Sequence, residues 1–352
     1  MVASEMKAWR VEAHGHPREV MHLRDVPVPE PGPGQVAIKA SAVALNLPDT
    51  RLCFGTYAMK PQLPFTPGFD VAGRIIGVGV GVDPALVGTP AIGVAGPPDG
   101  ALAEVALVRA GGLYELPDDI PAGDAAALLI PFTTGQLALH RRGRLQPGET
   151  LLVHAGAGGV GSAAIQLGVL AGARVLATAG GPEKVALCRE LGAEQAYDYR
   201  ALDSKQLITA VREATGGRGA DVIYDSVGGD VFHASRKMIA SEGRLLVVGF
   251  ASGDVAQAPT NQTLMANYDI VGVYFGAYSG PTSDAWRHDI WAQILDHYRA
   301  GRLRPLRDRT MTALDDDVPG AVADLGERRT TGRVVLELEH SNGWDGRAVP
   351  RW

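Results

Sequence analysis

Cysteine is almost absent: Cys53 and Cys188 are the only two in 352 residues. Two thiols exclude a disulfide framework and a four-thiolate zinc site. No apolar run approaches the roughly 18 residues that a membrane-crossing helix needs. The N-terminal stretch MVASEMKAWR has no apolar signal core, so the expectation is a cytoplasmic protein. Basic blocks are missing as well. Lys and Arg number 33 against 39 Asp and Glu, a net charge of −6, which argues against electrostatic binding of nucleic acid. What the chain has in quantity is glycine, 45 residues without a collagen-like period, which suits many tight strand-to-helix turns. With 46% hydrophobic and 20% charged residues it reads as globular, and its length fits two domains of about 150 residues.

The first third reads as β structure with turns. Pro27, Pro29, Pro31 and Pro33 punctuate an extended entry, and Val36 to Val43 alternates as a strand. Asp70 to Val82 is a glycine-rich strand and Ala103 to Val108 a short one. Pro121 opens a helix, and Thr133 or Thr134 is expected to cap a second one reaching about Arg142.

From Glu149 onward strands and helices alternate. Strands are expected over Thr150–His154, Arg174–Thr178, Asp221–Asp225, Arg244–Phe250 and Ile270–Phe275. The helices between them are expected over Gly161–Ala171, Pro182–Leu191, Lys205–Ala214 and Val231–Ala240. That alternation implies βαβ units and a doubly wound parallel sheet. A helix near Ala285–Tyr298 and a strand at Arg333–Glu339 follow, and Ser341 to Trp352 reads as a loose tail.

The sequence LLVHAGAGGVG sets Gly156, Gly158 and Gly161 in a GxGxxG pattern between a strand and a helix, the context in which that pattern binds a dinucleotide. Gly156 permits the turn, Gly158 lets the backbone approach a diphosphate, and Gly161 lets helix and strand pack closely. Gly159 and Val160 complete the turn, where the helix offers unpaired N–H groups to the phosphates. An NAD site expects an acid about 20 residues further on. The residues there are Thr178, Ala179, Gly180 and Gly181, with Lys184 following. No carboxylate and a nearby cation favour a 2′-phosphate, hence NADPH, and speak against a methyl-donor site. His154, at the end of the first of these strands, reads as structural.

Several stretches resemble one family: PGPGQVAIKASAVALNLPDT, LQPGETLLVHAGAGGVGSAAIQL, KVALCRELGAEQAYDYR, GGDVFHASRKMIASEGRLLVVGFASG and TTGRVVLEL. The chain resembles the zinc-independent quinone oxidoreductase (zeta-crystallin-like) branch of the medium-chain dehydrogenase/reductase superfamily, from about Lys7 to Leu338. The resemblance implies an α/β fold in which a Rossmann domain, residues 131–280, is inserted into a GroES-like β-barrel catalytic domain. That catalytic domain would take in residues 1–130 and be completed by 281–340, with 341–352 as the tail. It implies hydride transfer from NADPH to a quinone, an enone or another activated double bond. Carried over by position, Lys184, Tyr199 and Arg328 would hold the 2′-phosphate, and Thr134 would lie beside the nicotinamide, which Val248, Gly249 and Phe250 would approach. Asn46 and Asp49 would sit in the catalytic-domain wall of the cleft, the Asn46 amide donating to the developing enolate.

Arg51 stands where the family often has tyrosine, and an anionic substrate or a plain surface role are both open for it. Tyr57 is a candidate proton donor or stacking wall, and Cys53 reads as buried. Zinc-dependent relatives carry a cysteine near Asn46 and a His-Glu pair where Phe69 and Asp70 stand, so no metal is expected. The strand DIVGVYFG resembles the edge through which family members pair, so a homodimer is expected. An acryloyl-CoA-type enoyl reductase, and an NADPH-binding protein of structural or regulatory role, remain as alternatives.

Overall fold

The computed structural model describes residues 5–338, apart from 279, 313 and 315. Its packing falls into two units. The first comprises Met1–Leu129, Ser279–His288 and Arg307–Trp352, and the second Ile130–Tyr278 and Asp289–Leu306.

The first unit opens with β1 (Glu5–Val11), α1 (Pro17–Val20) and β2 (Met21–Pro27), the two strands forming an antiparallel hairpin. β3 (Gln35–Ala44), α2 (Leu47–Cys53), β4 (Asp70–Val78), β5 (Pro90–Val94), β6 (Val105–Arg109) and β7 (Leu113–Glu115) follow. β4 tolerates its glycines because its neighbour lies against them: a Cβ on Gly73 would fall on the Lys39 carbonyl of β3. α3 (Ala122–Gln136) then crosses from the first unit into the second.

The second unit carries β8 (Thr150–Val153), α4 (Gly159–Leu170), β9 (Arg174–Ala179), α5 (Pro182–Glu190), β10 (Gln195–Asp198) and α6 (Ser204–Ala214). It continues with β11 (Ala220–Asp225), α7 (Gly229–Ser235), β12 (Ile239–Val247), α8 (Thr260–Ala266) and β13 (Asp269–Gly272), and α9 (Pro281–Arg299) belongs to the first unit as far as His288 and to the second from Asp289. The chain returns to the first unit with β14 (Arg307–Met311), α10 (Val318–Gly326) and β15 (Arg333–Glu337).

The sheet of the second unit is parallel throughout, in the order β10-β9-β8-β11-β12-β13. It is the doubly wound sheet that the alternation implies. Strand order reverses between β8 and β11, the switch point outside which open α/β sheets bind ligands. Both strands are buried along their whole length, as parallel strands covered on two faces must be. One face packs Leu152, Leu176, Ile223 and Leu245 against Leu207, Val211 and Phe232 of the helices. The larger sheet of the first unit runs β14-β15-β3-β4-β5-β7, with β6 also on β3. The C-terminal strand β15 therefore lies beside β3, Val335 opposite Ala44.

Several expectations need correction. No second helix starts at Thr133 or Thr134: α3 runs through Pro131 and widens into a π-helical turn, Leu137–Arg142. The Thr133 hydroxyl instead turns back on the Ile130 carbonyl. α7 stops at Ser235, and β12 takes up Ile239 and Ala240, which read as helix. The tail from Ser341 lies outside the described residues. Among the described residues no helix is long and apolar enough to cross a membrane.

Candidate functional site

The C-terminal ends of β8, β9, β11 and β12 carry one set of candidates. β8 ends at Val153, and the chain turns through Ala155, which sits in the left-handed region at φ 51°. Gly156 N–H donates to the Thr178 carbonyl at 2.8 Å, tying the turn to β9. A Cβ on Gly161 would lie 2.2 Å from the Ala155 carbonyl oxygen, and one on Gly156 would lie 2.8 Å from the Cys188 sulfur. Those two glycines are required by close packing. At Gly158 a Cβ would meet only the Ala155 carbonyl, at 3.3 Å, so this glycine leaves its outer side open to a ligand. Gly158 is the N-cap of α4, with no side-chain cap, and the first helical bond runs from Ser162 N–H to the Gly158 carbonyl. The N–H groups of Gly159, Val160 and Gly161 are therefore left at the helix mouth, aligned with its dipole. This donor set fits a diphosphate.

The second cradle lies after β9. Gly181 (φ 95°) caps α5 with no side-chain bond, and its N–H donates to Asp198 Oδ1 at 2.9 Å. The same oxygen accepts the Arg200 N–H at 2.8 Å, and these donors hold the Asp198 carboxyl below the usual carboxylate range. Asp198 thereby folds the chain after β10 back over the two-glycine turn. A Cβ on Gly180 would fall 2.6 Å from the Tyr199 hydroxyl and 3.1 Å from Arg200 Nε. Tyr199 is exposed, and Lys184 is half-buried in the first turn of α5. Arg200 escapes a reading by resemblance, although it follows Tyr199 directly. Its guanidinium has no hydrogen-bond acceptor among the described residues. A planar cation over a glycine turn fits a phosphate monoester, and the Asp198 carboxylate is already engaged by backbone N–H groups.

Farther along the sheet, Val248 N–H bonds the Asp225 carbonyl (2.8 Å), and Ala251 N–H bonds the Ser226 carbonyl (3.0 Å). Val248, Gly249 and Phe250 thus leave the end of β12 beside the end of β11, with Phe250 exposed. Thr134 is half-buried on α3. The Thr178 side chain is turned inward, its hydroxyl 3.0 Å from His154 Nδ1. Arg328 belongs to the first unit, exposed just after α10 at φ 59°.

The remaining candidates lie in the first unit. Asn46 precedes α2, and its main-chain N–H donates to Asp49 Oδ2 at 2.7 Å. Asp49 Oδ1 accepts from Gly68 N–H at 2.9 Å. The Asn46 amide donates to the Ala44 carbonyl (3.1 Å) and to Asp70 (2.9 Å), and its oxygen accepts from Arg333, which also pairs with Asp70. Both amide hydrogens of Asn46 are engaged and the residue is buried. Its expected role as a donor to a substrate oxygen meets a different arrangement, a structural cross-link. Burial pushes Asp49 up to about 7, against the pull of its two N–H donors and of Arg333.

Arg333 was not singled out from the sequence, although a lone arginine opening an apolar strand demands a buried counter-charge. Arg51 is half-buried in the last turn of α2. Tyr57 stands edge-on to Phe69 at 6.2 Å. Burial pushes the Cys53 and Cys188 thiols up to about 12, so both stay protonated. Among the described residues no three His, Cys, Asp or Glu side chains converge as a metal set.

Comparison with known proteins bears on both units. Residues 32–118 match the alcohol dehydrogenase GroES-like domain, and residues 159–293 match the zinc-binding dehydrogenase family. The quinone oxidoreductase-like protein 2 homolog of Nematostella vectensis is 35% identical over 309 residues, 88% of this chain and 83% of that protein. A quinone oxidoreductase of Pseudomonas syringae pv. tomato is 32% identical with a TM-score of 0.85, covering 94% of this chain and 99% of its own. A mycobacterial protein solved in complex with NADPH is 33% identical with a TM-score of 0.85, over the same shares. With its GroES-like and Rossmann halves and these relatives, the chain belongs to the quinone oxidoreductase-like branch of the medium-chain dehydrogenase/reductase superfamily of oxidoreductases.

Proposed function

We propose that this oxidoreductase uses NADPH to reduce a quinone or another α,β-unsaturated carbonyl compound, without a metal ion. The observation that carries the reading is the pair of cradles in the second unit, an uncapped glycine-rich helix mouth beside a two-glycine turn overlaid by Tyr199 and Arg200. The N–H groups of Gly159, Val160 and Gly161 take the diphosphate. Arg200, Lys184 and Tyr199 take the 2′-phosphate, and Val248, Gly249, Phe250 and Thr134 line the nicotinamide end. Bound there, the cofactor supplies the hydride. A conjugated acceptor receives it at carbon and stores the electron pair on its own oxygen, so no Lewis acid is required. The donor set supports a metal-free reaction: Phe69 has no lone pair to offer, Asp70 is paired with Arg333, and the Cys53 thiol stays protonated.

β13 is the outermost strand of its sheet among the described residues, and exposed Ile270 on it, with the exposed side chains of Leu264, Met265 and Tyr274 near it in sequence, supports a homodimer through that edge.

Fluorescence titration of NADPH against NADH, followed by oxidation of the bound nucleotide with 1,4-benzoquinone and with an enone, tests the reading. NADPH is expected to bind at least about tenfold more tightly, a difference of roughly 1.4 kcal/mol. Arg200→Ala and Lys184→Ala are each expected to erode that preference. Equal binding of the two nucleotides would defeat the 2′-phosphate assignment. Tight binding with neither acceptor turned over would shift the protein to a binding role.

A further inference from the structure

His154 is fully buried between β8, β9 and α7, one residue before the phosphate-binding turn. Its ring is bonded on both sides. Nε2 lies 2.9 Å from the Ser235 hydroxyl and Nδ1 lies 3.0 Å from the Thr178 hydroxyl. The Ser235 hydroxyl donates its hydrogen to the Val231 carbonyl, 2.8 Å away. Ser235 therefore accepts from the ring, which puts the proton on Nε2 and leaves Nδ1 to accept from Thr178. The histidine main chain is held as well, its N–H donating to the Tyr224 carbonyl of β11 at 3.0 Å. Thr178 is bonded to the turn a second time, through its carbonyl and Gly156 N–H. Between these two anchors sits Ala155, a non-glycine residue at φ 51°, a conformation that L side chains avoid. Its carbonyl is the atom against which Gly161 packs, so its rotation sets where α4 begins relative to β8.

We propose that His154 is a positioning residue for dinucleotide binding: as the Nε2–H tautomer, bonded to Thr178 and Ser235, it holds Ala155 in the left-handed conformation that aims the α4 N–H groups. Burial lowers the affinity of the ring for a second proton, in keeping with a neutral imidazole that accepts at Nδ1. Thr178 in this account reaches the nucleotide through the histidine. The inference rests on the dinucleotide reading above, and its test separates the two.

The first measurement is the tautomer, by 15N NMR of the nucleotide-free protein labelled at histidine, with Thr178→Val assigning the His154 signal. A protonated Nε2 and a bare Nδ1 are expected. A proton on Nδ1, or on both nitrogens, at neutral pH overturns the proposal whether or not NADPH binds. The second is the NADPH dissociation constant by fluorescence. Thr178→Val keeps the side-chain shape and removes the donor, and it should weaken binding about tenfold, while Thr178→Ser should stay near the parent. Adding Ala155→Gly to Thr178→Val should recover most of the loss, since glycine takes φ 51° without the histidine's restraint. A histidine that serves only the core would leave the dissociation constant unchanged in Thr178→Val, or would leave its loss unrepaired by Ala155→Gly, and either result overturns the proposal. Failure of the parent protein to bind NADPH counts against the function proposed above, and the tautomer then decides the positioning role.

Discussion

Arg333 pairs with Asp70 and with the Asn46 oxygen in a setting where no member of the group is more than a few per cent exposed. Removing one partner of a buried ion pair leaves the other charge uncompensated. Arg333→Leu should therefore cost about 3–5 kcal/mol, measured by urea denaturation. Asp49 adds a pH signature. Its folded pKa, about 7, lies above that of an unfolded aspartate, so between pH 4 and 7 the native chain keeps a proton that the unfolded chain has lost. The contribution of Asp49 to stability is largest at the acid end of that window. It declines as pH rises toward 7, with a slope of at most about 1.4 kcal/mol per pH unit. Denaturation curves of the parent and Asp49→Asn across this window should differ by that slope. The two cradles divide what was readable at this scale. Gly156, Gly158 and Gly161 are legible because their spacing and their place between strand and helix are local facts. Arg200 is not, because its approach to Gly180 depends on Asp198 bending the chain after β10. Nor is the Asn46–Arg333 contact, whose partners are 287 residues apart.

At the scale of elements, the strand–helix alternation from Glu149 was readable because buried parallel strands and their helices have distinct periods. Boundaries failed where two signals ran together. In VFHASRKMIA the apolar spacing continues past the end of α7 into β12, where Ile239 pairs with Ala220 of β11, the register shifts before Arg244, and Glu242 takes φ 63°. β10 has only four residues, and its strand character comes from its neighbour, with Tyr197 opposite Thr178 on β9. The edge strand β13 carries a prediction of its own. If the proposed homodimer forms through that edge, Ile270→Arg, which places a charge on it, should sediment as a monomer and the parent as a dimer. An unchanged sedimentation coefficient, or a parent that sediments as a monomer, would overturn the dimer through this edge.

For the whole molecule, two units with separate cores imply unfolding with more than one transition. Only the second carries both nucleotide cradles, so NADPH should raise one transition first. At about a hundredfold over its dissociation constant the stabilisation is about 2.7 kcal/mol, which differential scanning calorimetry resolves. NADH at the same concentration should shift that transition less.

The placement of β15 beside β3 also bears on how the protein is made. A chain emerging from the ribosome has every residue of the second unit by Leu306, while β3 still waits for the strand that begins at Arg333. Until then the Arg333 that pairs with Asp70 has not been made, and the Ala42–Ala44 end of β3 lacks its β15 partner. Synthesis therefore favours completion of the inserted unit before the unit that encloses it in sequence, although the latter begins first. A chain ending at Thr330 should accordingly give a protease-resistant fragment from the second unit, with the N-terminal 129 residues digested.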